Sequence, residues 1–109
     1  MKQSLDEIIE EIGRSSLLTH EEELALLKVV QKKGTDCDEM TQLEKANMRF
    51  LVSVANQYQK RGLTLEELIE AGTEGLRKSA MKYNFDADNK FIAYAVWWIR
   101  QSILQALED

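Results

Sequence analysis

TLEELIEAGTEGLRKSAMK, residues 64–82, opens on a Thr-x-x-Glu pattern and continues without a proline. In such a capping box the hydroxyl of Thr64 and the carboxylate of Glu67 satisfy backbone donors that the first turn of a helix leaves orphaned. Leu63 and Leu68 stand where a hydrophobic staple would fix the entry of the chain. Leu65, Leu68, Ile69, Gly72 and Leu76 recur on one side of the resulting helix, and Glu67, Glu70 and Glu74 on the other, with Glu66 and Arg77 at the flank. Gly72 and Gly75 each cost a helix interior about 1 kcal/mol relative to alanine. Glycines kept at that cost on the apolar side indicate a second helix packed close against this one.

The same punctuation recurs along the chain. Ser4 with Glu7 and Thr19 with Glu22 repeat the capping box, and Gly13, Gly34 and Gly62 each follow a periodic segment where a left-handed C-cap would sit. Helices are therefore expected near 5–12 (Leu5, Ile8, Ile9, Ile12), 20–33 (Leu24, Leu27, Val30), 39–60 (Leu43, Phe50, Leu51, Val54, Tyr58), 65–82, and from about 89 to the end. GTDCDEMT and NFDADN read as loops. The expected fold is all-α, a compact bundle of about five helices, with residues 1–36 a short helical region that precedes a core of 37–109.

Composition agrees with this and excludes several functions. The chain of 109 residues suits one domain, has no proline, and is 44% apolar and 30% charged. A single cysteine (Cys37) and a single histidine (His20) cannot supply a disulfide framework, a metal cluster or a Cys/His nucleophile pair within one chain. No phosphate loop or paired acid and base stands out either, so neither an enzyme nor a cofactor is expected. The acidic start is unlike a signal peptide, and no apolar run approaches the ~18 residues of a membrane span; a cytoplasmic protein with no membrane partner is the expectation. The net charge is −5, unevenly spread: residues 1–44 hold 11 Asp/Glu against 5 Lys/Arg, residues 45–109 hold 8 against 9. The global sign thus leaves room for a local surface that faces nucleic acid.

The last helix has two faces to account for. Ile92, Val96, Ile99, Ile103 and Leu107 fall on one side, the expected core stripe. Lys90, Tyr94, Trp97, Trp98, Gln101 and Gln105 gather on roughly the opposite side. A helix apolar on both sides is either buried all round or offers one side to a partner. Extra core is one account of the rings; the other is a platform for bases, since rings stack on bases, glutamine pairs with base edges, and lysine or arginine holds phosphate. Spacing alone does not distinguish DNA from RNA. The carboxylate row on 65–82 also has two accounts, a solvated face or a docking surface for a basic partner.

The stretch from Asn47 to Ile103, NMRFLVSVANQYQKRGLTLEELIEAGTEGLRKSAMKYNFDADNKFIAYAVWWIRQSI, resembles the second conserved region of bacterial RNA polymerase sigma factors of the sigma-70 family. The matching motifs are N-M-R-F-L, A-N-Q-Y-Q-K-R-G, E-L-I-E-A-G-T-E-G-L and K-F-I-A-Y-A-V-W-W-I-R-Q; LDEIIEEIGRSSLLTHEEELALLKVVQKKG is similar to the short region 1.2 before it in primary-type factors.

The resemblance implies an all-helical domain that docks on the clamp coiled coil of the largest subunit of core RNA polymerase and opens the minus-ten promoter element. Glu66, Glu67, Glu70, Thr73 and Arg77 would make the polymerase contacts. Phe91, Tyr94, Trp97, Trp98 and Gln101 would engage the upstream edge of the bubble, with the Trp pair as a wedge and Tyr94 stacked on the unpaired non-template base beyond it. Asn47 matches a position that helps bind a second flipped base downstream, and Arg49, Lys78, Lys90 and Arg100 are candidate phosphate or polar contacts. An anti-sigma protein is a further candidate partner.

The chain departs from the family at Ala71, Thr73 and Arg77 (commonly Glu, Asn and Met), at Asn56 and Gln57 (commonly basic), at Ala93 and Leu104, and in the acidic FDADNKF. It stops at ALED, before the segments that reach the minus-thirty-five element and the polymerase active centre, as a fragment or a natural minimal relative would. The competing expectation is a truncated sigma-like interaction module that binds polymerase without productive DNA recognition.

Overall fold

The computed structural model describes residues 18–86 and 90–109; the helix expected near 5–12, with its Ser4 box and Gly13 stop, lies outside them. Within the described residues the chain forms five helices and no strand: α1 (His20–Lys33), α2 (Asp38–Ala46), α3 (Met48–Asn56), α4 (Leu65–Lys82) and α5 (Phe91–Glu108).

Both capping boxes in this range are formed. Thr19 and Glu22 exchange their two backbone-to-side-chain bonds at 3.1 Å, and Thr64 and Glu67 do so at 3.0 and 3.1 Å. At the end of α1, Gly34 donates its N–H to the Val30 carbonyl at 2.7 Å; its φ is positive (+89°), but with ψ at 179° it stops the helix in an extended positive-φ conformation rather than the expected left-handed helical one.

The segment expected as one helix over 39–60 is two. The break falls at Asn47, whose φ of −108° and ψ of 7° leave the helical region. Its side-chain Nδ2 donates to the Leu43 carbonyl at 2.8 Å, and its backbone N–H reaches the carbonyls of Leu43 (3.1 Å) and Glu44 (3.3 Å). An asparagine that bonds to its own backbone offers the chain an alternative to the helical ladder. The second half also stops early, at Asn56: Lys60 takes φ +69° before Gly62 at +117°.

α4 and α5 form the most extensive helix pair. The interior glycines permit it. A Cβ on Gly75 would run into the Trp98 carbonyl oxygen and stand 2.7 Å from the Ile99 Cα, and one on Gly72 would stand 2.8 Å from Leu51 Cδ1. Around this pair one core joins all five helices, with Leu27 and Val30 of α1, Met40 and Leu43 of α2, Leu51 of α3, Leu68 and Leu76 of α4, and Ile99 and Ile103 of α5 fully buried or nearly so.

The buried stripe of α5 is Phe91, Ala95, Ile99 and Ile103. Ile92, Val96 and Leu107, expected in that stripe, are only half-buried. Ala95 and Phe91 are fully buried in their place, on the helix whose backbone at Trp98–Ile99 meets Gly75 of α4.

Candidate nucleic-acid and protein interfaces

Six aromatic residues form one chain of ring contacts, mostly edge-on, that runs from the core to solvent. Tyr83, just past the end of α4, is its hub, in edge contact with Phe85 (5.4 Å between ring centroids), Phe91 (5.6 Å) and Tyr94 (5.9 Å). Tyr94 meets Trp98 at 6.3 Å, and Trp98 meets Trp97 at 5.2 Å with the two indole planes 85° apart. Phe91 at the inner end is 0% exposed and Trp97 at the outer end is 57% exposed, while Tyr94 and Trp98 lie between these extremes. Rings fixed at one end by packing and open at the other present a rigid aromatic edge to solvent.

Cations and amides frame that edge. Lys82 Nζ sits 5.8 Å from the centre of the Trp98 ring, and the Lys82 carbonyl accepts from the Tyr94 hydroxyl at 3.3 Å. Lys78, Lys90, Arg100 and Gln101 are exposed. Nothing in the spacing of the sequence marks Lys82 and Tyr83 as site residues. Both end α4, and only the packing of α4 on α5 brings them to the rings. The Tyr83 hydroxyl is held above its ordinary pKa, by burial first and then by the neighbouring charge of Glu23. Two expected site residues are not on the open edge. Phe91 belongs to the core and supports Tyr83 from beneath, and Asn47, 9% exposed, spends its amide on the Leu43 carbonyl. Arg49 is exposed at the start of α3, on a different element from the rings.

The carboxylate row stands on the exposed side of α4, where Glu66, Glu67, Glu70 and Glu74 all face solvent. Beside it lies a hollow of about 610 Å³ lined by Ile69, Ala71 and Ala106 together with Glu67, Glu70 and Glu74. Glu67 is partly committed to its own helix: hydrogen bonds from Thr64 hold its carboxyl below the ordinary value. Thr73 donates its hydroxyl to the Ile69 carbonyl at 2.8 Å. Arg77 turns away from the row to pair with Glu44 of α2, Nε to Oε1 at 2.6 Å. Among the described residues no three His, Cys, Asp or Glu side chains could hold a metal ion, and no helix is long and apolar enough to cross a membrane.

The described residues thus form an all-helical module with an aromatic edge on one helix and an acidic face on its partner. The Sigma-70 region 2 family matches residues 43–109, and the chain belongs to that family. It is 43% identical over 101 residues to the RNA polymerase sigma factor SigA of Listeria monocytogenes serovar 1/2a and to that of Listeria innocua serovar 6a, covering 93% of this chain and 26% of each relative. The chain thus spans about a quarter of the length of these relatives.

Proposed function

We propose that this chain is the part of a transcription initiation factor that binds core RNA polymerase through the acidic face of α4, and that recognises and melts the minus-ten promoter element by capturing unpaired non-template bases on the aromatic edge of α5. The observation that carries this reading is the ring chain from buried Phe91 to exposed Trp97. An aromatic edge held from inside, with Lys82 against its middle ring, suits a surface that must replace base stacking without rearranging.

No chemistry is required. Opening DNA loses about 1.4 kcal/mol of stacking per base-pair step, and a base stacked on an aromatic side chain recovers roughly 1–3 kcal/mol. Two or three ring contacts therefore offset the opening of a few steps, and the open state is selected because only unpaired bases can make them. The perpendicular indoles form a corner: one can abut the end of the upstream duplex while the other supports it. Tyr94 takes the first unpaired base, Gln101 and Arg100 meet the duplex edge, and Lys78, Lys82, Lys90 and Arg49 supply positive charge along the strand. Asn47, buried with its amide on the Leu43 carbonyl, is assigned to a second base downstream through the shape it gives the α2–α3 break rather than through an open side chain.

On the other face, the carboxylates of Glu66, Glu67 and Glu70 dock on a basic surface of the clamp coiled coil of the largest polymerase subunit, with Thr73 and the Glu44-paired Arg77 at the border of that contact. Residues 1–36 serve as the region that precedes this core, in a cytoplasmic factor. A polymerase-binding module without DNA recognition is the second reading, favoured by exposed Asp86 in the turn beside the ring hub.

Two double substitutions separate these readings. Trp97→Ala with Trp98→Ala should abolish preference for fork-junction DNA with an unpaired minus-ten strand while polymerase binding persists. Glu70→Lys with Glu74→Lys should do the reverse; these two leave the Thr64–Glu67 capping box intact. A wild-type chain that binds polymerase but discriminates no fork DNA would favour the interaction module.

A further inference from the structure

Asn47 marks the point where the helical ladder breaks between α2 and α3. Its φ and ψ (−108°, 7°) are those of a turn residue, so hydrogen bonds rather than helical continuity hold it at the break. What fixes it is the last turn of α2. Leu43 accepts both the backbone and side-chain N–H groups of Asn47, and Glu44 accepts a share of the backbone N–H at 3.3 Å. Leu43 is anchored by full burial in the core. Glu44 is anchored by charge, through the 2.6 Å bond from Arg77 of α4 to its carboxylate, whose side chain is only 15% exposed.

The contact between α2 and α4 is small beside the α4–α5 pair, and this charge-assisted bond, made by an Arg77 side chain that is 44% exposed, is one of the links between the two helices. Glu74 and Asp36 also bear on the Arg77 guanidinium electrostatically, but the hydrogen bond to Glu44 is the leading influence on it.

We propose that Arg77 is a positioning residue. Through Glu44 it sets the break at Asn47, and so joins the acidic face of α4 to the α2–α3 junction. Resting on the proposed function, this means that the helix docked on polymerase also holds the downstream base-binding position in shape. A methionine at 77 has no donor with which to make this tie.

The test uses the 109-residue chain. Hydrogen exchange at the Asn47 amide, followed by NMR, should accelerate between about twofold and tenfold in Glu44→Gln and in Arg77→Met, with no further gain in the double variant, as expected for two partners in one interaction. The swap of Glu44→Arg with Arg77→Glu should recover part of the protection, which a general loss of folding would not. Unchanged exchange in both single variants, or singles that add in the double, overturns the inference.

A second arm uses the chain bound to core polymerase and fork-junction DNA in which single abasic positions are scanned along the unpaired strand. The penalty for the abasic position served by Asn47 should shrink in Glu44→Gln, and a penalty equal to the wild type's overturns the coupling to DNA. A wild-type chain with no sensitive downstream position overturns the base-binding assignment of Asn47 instead, while the exchange measurement still decides the tie.

Discussion

The side-chain amide of Gln31 in α1 donates to the backbone carbonyl of Tyr83 at 2.9 Å and to that of Ala80 at 3.0 Å. The last carbonyls of a helix have no partner within it, and here one glutamine from 49 and 52 residues earlier supplies both bonds. Since Tyr83 is the hub of the ring chain, a residue of the first helix fixes the base of the aromatic edge.

Gln31→Ala should therefore destabilise the fold by about 1–3 kcal/mol, the cost of leaving partly buried acceptors unpaired. Gln31→Glu should be worse at neutral pH, because a carboxylate then faces two carbonyl oxygens, and it should recover in part as acid protonates the new group. Urea denaturation at pH 7 and pH 4 measures both effects.

Gly75→Ala sets two known quantities against each other. Helix propensity favours alanine by about 1 kcal/mol, but the new methyl would meet the Trp98 carbonyl and the Ile99 Cα, backbone atoms with little freedom to move. Overpacking of about 1–3 kcal/mol or more should win, and the melting temperature should fall. Gly72→Ala, which meets the far end of the Leu51 side chain, should be the milder change.

The two tryptophans should separate stability from binding. Trp97→Ala removes a ring that is 57% exposed, so its urea midpoint should move little while fork-DNA affinity falls by roughly 1–3 kcal/mol. Trp98→Ala should lower both, because that ring touches Tyr94, Trp97 and Lys82. Equal losses of stability in the two variants would count against an open outer ring.

Glu23 carries a pH signature. Burial is the main influence on its carboxyl and raises its pKa above the ordinary 4.5, while His20 and Lys90 act in the opposite direction. A carboxyl with a raised folded pKa contributes stability that is full below the unfolded value and is lost as pH rises through the folded one. Glu23→Gln should therefore raise the melting temperature at pH 7 and leave it nearly unchanged below pH ~4. A gain that persists undiminished in acid would show that ionisation is not its origin.

Much of this was legible in the residues themselves. The Thr19–Glu22 and Thr64–Glu67 boxes, the Gly34 stop and the two-sided pattern of 65–82 are local, since capping and helical period act over three to seven neighbours. The tightness at Gly72 and Gly75 was also readable, from helix-weakening glycines on an apolar face. Asn47 was harder. Its bonds to Leu43 and Glu44 are local, but the apolar period runs through it, and the period suggested one helix.

The sequence by itself determined where most helices begin and that α5 carries rings on a side apart from its core. Only the tertiary structure decided which rings are open, that Phe91 lies beneath Tyr83 rather than beside Trp97, that Lys82 covers Trp98, and that Gln31 and Arg77 tie distant helices together. Caps and periods are set by neighbours in the chain, whereas exposure and long-range bonds depend on how closely helices approach, and here that distance is set by two glycines on α4 against the backbone of α5 and the Leu51 side chain.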